Sequence, residues 1–64
     1  MLLTKRNSYD FISKYSLTIT TGARRHKGGF YFWWFVSKEN LRGNGRTLLK
    51  ALKDFYSNNW REIE

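Results

Sequence analysis

Sixty-four residues carry 12 Lys and Arg against 5 Asp and Glu, a formal charge of +7, with no Cys and no Pro. That length allows one small basic domain over residues 1–64 and excludes folds that need well over about 100 residues, most metabolic enzymes among them. A chain this short buries roughly 60% of its unfolded surface. It cannot be stapled by disulfides, and one His with scattered carboxylates is a poor metal set. No cofactor is therefore expected, and stability must come from the aromatics, 19% of the chain, from a partner, or from both.

In chain order, residues 7–14 admit two readings. Asn7 or Ser8 could cap a short helix through Tyr15, with Asp10 in its first turn. Alternatively, Tyr9, Phe11, Tyr15, Leu17 and Ile19 fall on odd positions against polar even ones, the period of a half-buried strand. From Tyr15 to Thr21 the β-branched content predicts strand. Gly22 to Gly29 reads as a basic hairpin loop bracketed by glycines. Phe30 to Ser37 is a second strand, apolar on both faces: Phe30, Phe32, Trp34 and Val36 on one, Tyr31, Trp33 and Phe35 on the other. Lys38 to Gly45 is polar and reads as a loop. Thr47 to Trp60 has helical spacing, with Leu48, Leu49, Leu52, Phe55, Tyr56 and Trp60 on one broad stripe and Asn44 as a cap. The predicted fold is α+β. It is a small antiparallel sheet of two or three strands packed against one C-terminal helix, possible short N-terminal helix included, with Leu48, Leu49, Leu52, Phe55 and Tyr56 on Phe32 and Trp34.

The charge bears on partners. Arg24, Arg25, His26 and Lys27 form the densest positive cluster, and Lys38, Arg42 and Arg46 follow in the next polar stretch. Glu39 is the one acid between residues 22 and 46. Such clusters neutralise phosphates and release counterions, against the plainer reading of a solvated turn. Tyr31, Trp33 and Phe35 on an uncovered sheet face would form a platform for unpaired bases, against the plainer readings of a dimer interface or a face covered by the N-terminal segment. His26 alone could serve as the base of a small ribonuclease, but no second catalytic group stands beside it in sequence.

Three resemblances attach to these residues. Lys27–Gly28–Gly29–Phe30–Tyr31–Phe32 resembles the basic-glycine-aromatic strand of RNA-recognition and cold-shock domains, with a different order of glycine and aromatic residues. A three-stranded sheet followed by one helix, in a small basic chain, is similar in outline to the arm-binding domains of phage-type integrases. Arg42–Gly43–Asn44–Gly45–Arg46–Thr47 resembles the pyrophosphate-binding turn of small acyltransferases. There Thr47 takes the place of the last small residue, and the chain is less than half the length that enzyme requires. What remains of it is a helix start suited to one phosphate.

The expected function is a non-enzymatic nucleic-acid-binding protein, DNA or RNA, from a phage or other mobile element. Its site would comprise Arg24, Arg25, His26, Lys27, Tyr31, Trp33, Phe35, Lys38, Arg42 and Arg46. The alternative is a protein–protein module, a homodimer or an inhibitor of an acidic host protein, because aromatic and Arg residues also anchor such interfaces. A small RNase toxin ranks third. The longest apolar run, Phe30 to Val36, falls far short of the roughly 18 residues of a membrane span. Met1–Leu2–Leu3 before Thr4, Lys5 and Arg6 lacks the order of a signal peptide. No membrane partner is expected, and the expected compartment is the cytoplasm.

Overall fold

The computed structural model describes residues 3–63; Met1 and Leu2, part of the start read above against a signal peptide, lie outside them. The elements run α1 (Ser8–Tyr15), β1 (Thr18–His26), β2 (Gly29–Lys38), β3 (Leu41–Gly45) and α2 (Leu48–Ile63). The three strands form one antiparallel sheet in the order β1-β2-β3. This is the small α+β architecture expected from the sequence, with the short N-terminal helix present.

Residues 8–15 are helix, which decides between the two readings of that segment. Thr4 and Asn7 start it with a reciprocal pair: the Thr4 amide donates to Asn7 Oδ1 at 2.8 Å, and the Asn7 amide to Thr4 Oγ1 at 3.3 Å. Ser16 ends it in the left-handed region, φ 54°. There the Leu17 amide donates to the Ile12 carbonyl and the Ser16 amide to that of Ser13, the two-bond closure of a Schellman motif. The strand predicted from Tyr15 therefore starts at Thr18. Tyr15 is the last residue of α1, and its odd-position match with Leu17 and Ile19 spans a helix end and a turn.

The predicted loop from Gly22 to Gly29 is mostly strand. β1 continues to His26, which pairs with Gly29, leaving Lys27 and Gly28 as a two-residue turn in which Gly28 takes φ 98°. The predicted loop from Lys38 to Gly45 is also largely strand. Lys38 pairs with Leu41 and Trp34 with Gly45, so only Glu39 and Asn40 turn.

Helix α2 lies on one face of the sheet, against β3 and the near half of β2. Gly43 and Gly45 determine how close it comes. A Cβ on Gly43 would stand 2.5 Å from the Phe55 backbone, and one on Gly45 2.6 Å from the Ala51 amide nitrogen. Val36, Ala51, Leu52 and Phe55 have no exposed surface, and Leu3, Phe11, Tyr15 and Leu17 complete the core. Phe11 also meets Tyr56 of α2, with ring centroids 5.8 Å apart.

Two sequence expectations about this core are corrected. Phe32 does not pack under α2; it is 66% exposed, because it lies beyond the reach of the helix. Trp60 is 44% exposed, whereas Ala51, outside the predicted stripe, is fully buried. The cap is Thr47 rather than Asn44, with Thr47 Oγ1 accepting from the Lys50 amide at 3.1 Å. Asp54 and Asn59 of α2 bind the outer edge of β3: Asp54 Oδ2 accepts from the Asn44 amide at 3.0 Å, and Asn59 Nδ2 donates to the Arg42 carbonyl at 3.0 Å.

Candidate nucleic-acid interface

The strand register fixes which side chains share the face that α2 leaves uncovered. Tyr31, Trp33, Phe35 and Ser37 of β2 pair with Arg24, Gly22, Thr20 and Thr18 of β1. On the other side, Phe35 and Ser37 pair with Asn44 and Arg42 of β3. Paired residues in an antiparallel sheet project to the same side, so this open face carries Arg24, His26, Arg42 and Asn44 together with the three rings. Arg46, one residue past β3, joins them, its guanidinium carbon 4.9 Å from the Tyr31 ring centroid.

The rings form a ladder. His26 meets Tyr31 at 5.8 Å and Tyr31 meets Trp33 at 6.0 Å, both edge to face, an arrangement the ring quadrupoles favour. Arg24 lies 5.8 Å from the Trp33 centroid. Trp33 Nε1 donates to Asn44 Oδ1 at 3.2 Å, and the Asn44 amide is held by Asp54, so the indole is tied through β3 to the helix. His26, Tyr31, Trp33 and Arg46 line a shallow depression of about 190 Å³. Tyr31, Trp33 and Phe35 are half-buried, whereas Arg24, His26, Arg42 and Arg46 are exposed.

Of the site residues expected from the sequence, seven meet on this face: Arg24, His26, Tyr31, Trp33, Phe35, Arg42 and Arg46. Lys27 stands at the turn tip. Arg25 and Lys38 point to the opposite side. Arg25 lies 5.8 Å from the ring of Phe30, its cross-strand partner, and the Lys38 ammonium 5.8 Å from that of Tyr15. Asn44, read from sequence as a helix cap, orients Trp33 instead.

The Arg42–Thr47 segment is not a phosphate cradle of the acyltransferase kind. Its glycines face Phe55 and Ala51, and the start of α2 is capped by Thr47. No group of three or more His, Cys, Asp or Glu that could hold a metal occurs among the described residues, and no helix among them is long and apolar enough to cross a membrane. No family model, no curated protein and no solved structure matches the chain.

Proposed function

We propose that this domain binds nucleic acid, without catalysing a reaction on it, through the open face of its sheet. The observation that carries the reading is the gathering of Arg24, Arg42 and Arg46 on one uncovered face with Tyr31, Trp33 and His26. Between Asp10 and Glu39 the chain has no acid, so the ribbon half of this face has none of its own to oppose a polyanion. Exposed arginines neutralise phosphates at a cost in salt sensitivity that can be measured. The test is titration of oligonucleotides at two salt concentrations, read by tryptophan fluorescence. Binding that weakens steeply with salt, and that Arg24→Ala with Arg46→Ala diminishes, supports the reading; absence of binding at low salt rejects it.

A second reading is favoured by a different feature. Phe30 and Phe32 are 72% and 66% exposed on the opposite side of the hairpin, and exposed neighbouring rings are characteristic of protein interfaces. A dimer in solution that Phe30→Ser with Phe32→Ser dissociates would establish that reading.

A further inference from the structure

The two hairpins of the sheet differ in length, and that determines what the open face can enter. Pairing between β2 and β3 stops at Trp34 and Gly45, while pairing between β1 and β2 continues to His26 and Gly29. Beyond the helix the sheet is therefore a two-stranded ribbon, Gly22–His26 against Gly29–Trp33. It contributes to a long, narrow molecule of 41 × 26 × 17 Å. Its open face carries Arg24, His26, Tyr31 and Trp33, with Arg46 alongside.

The rings on this ribbon are not presented as free stacking surfaces. Tyr31 and Trp33 meet edge to face, each has a guanidinium within 6 Å of its centroid, and both are half-buried. An unpaired base seated on either ring would have to displace a cation–π contact. The groups that do face outward are the arginines, and a guanidinium laid over a ring keeps its fork of donors free at the edge.

Resting on the nucleic-acid reading above, we infer that the domain reads duplex DNA rather than single strands, with Tyr31 and Trp33 acting as positioning residues that hold Arg46 and Arg24 for guanine edges in the major groove. Arg donating to guanine O6 and N7 is the commonest specific contact there, and the groove, about 12 Å wide, admits a two-stranded ribbon. In the minor groove guanine is distinguished only by its N2 amine, a donor, so an arginine fork finds its guanine-specific acceptors in the major groove. The major groove of duplex RNA is too deep and narrow for side chains to read.

The test uses the full chain with a mixed-sequence duplex DNA, its separated strands and the corresponding duplex RNA. Selection from a randomised duplex pool then defines the preferred site. The inference requires the DNA duplex to bind at least tenfold tighter than either alternative. Arg46→Ala, at an exposed position that leaves the core intact, should lose about 5- to 150-fold on the preferred site and relax the choice at one guanine.

Tyr31→Leu should reproduce most of that loss, add little in the Arg46→Ala background, and be rescued by Tyr31→Phe. Preference for single strands, or equal losses from Tyr31→Leu with and without Arg46, would overturn the inference while leaving nucleic-acid binding intact. No binding to any of the three would remove both. If Tyr31→Leu fails to fold, the strand preference and the Arg46→Ala site selection still decide the question.

Discussion

The two halves of β2 carry the same kind of sequence and meet different fates. On its helix side, Val36 is fully buried and Trp34 half-buried, whereas Phe32 and Phe30 are 66% and 72% exposed. All four sit at the even positions of one strand. What separates them is the reach of α2, seated over β3 by Gly43 and Gly45 and held at the strand edge by Asp54 and Asn59. Alternation decides which face a side chain joins; the covering element decides whether that face is core. The near half of the sheet is thus the stable body of the domain, and the far half is a projecting ribbon whose aromatic and basic side chains remain exposed or half-buried.

The largest expected effect lies in the covered half. Phe55→Ala removes a fully buried ring from the core cluster it shares with Val36 and Leu52 and should cost about 3–5 kcal/mol. A domain of this size has a total stability of roughly 3–10 kcal/mol, so the variant should show no cooperative thermal transition, or one far below the parent's. A transition near the parent temperature would mean that α2 does not close the core.

Next in size is Gly43→Ala. Its added Cβ would fall 2.5 Å from the Phe55 backbone, and backbone cannot swing aside as a side chain does. The helix must lift, with an overpacking cost of about 1–3 kcal/mol or more. Denaturant midpoints measure it. A midpoint within error of the parent would show that the close seating of helix on strand is not a constraint.

These two positions also show how much of the molecule was legible. The helix was, because Leu48, Leu52 and Phe55 recur at its period, and the open-face rings Tyr31, Trp33 and Phe35 were, because alternation assigns them one side. β3 was hidden for a physical reason. In β3 the inward positions are Leu41, Gly43 and Gly45, so past Leu41 the buried face has no apolar side chain to announce it, and glycine in a polar stretch reads as loop. The alternation itself, polar outward and glycine inward, was the available signal. Tyr15 is legible in two ways, as the end of a helix or the start of a strand: its period-2 match with Leu17 is accidental, and local bonding at Thr4, Asn7 and Ser16 makes the segment helix. The site residues Arg25 and Lys38 were assigned by charge clustering in sequence, and a strand sends neighbours to opposite faces.

A smaller effect belongs to Thr47, whose hydroxyl accepts from the Lys50 amide at the junction of sheet and helix. Thr47→Ala should cost about 1 kcal/mol, within the usual 0.5–2 for a lost N-cap, while Thr47→Ser or Thr47→Asp restores most of it. Equal stability of the Ala and Ser variants in urea would show that the cap contributes nothing here.

The smallest expected effect tests the comparison most directly. Phe32→Ala deletes a ring as large as that of Phe55, from a strand adjoining the core. Were both rings core, both deletions would cost several kcal/mol. Phe32 instead lies opposite Ala23 on the ribbon, so the deletion leaves no cavity and removes only cross-strand contact, worth about 0.2–1 kcal/mol. Thermal unfolding of Phe32→Ala should therefore remain cooperative and close to the parent's, under conditions where Phe55→Ala is unfolded. If the two variants lose comparable stability at a concentration where the protein is monomeric, the ribbon folds back onto the body and the division of β2 fails. If Phe32→Ala loses stability only at concentrations where the parent self-associates, the exposed ring is covered by a second copy, and the division of the single chain stands.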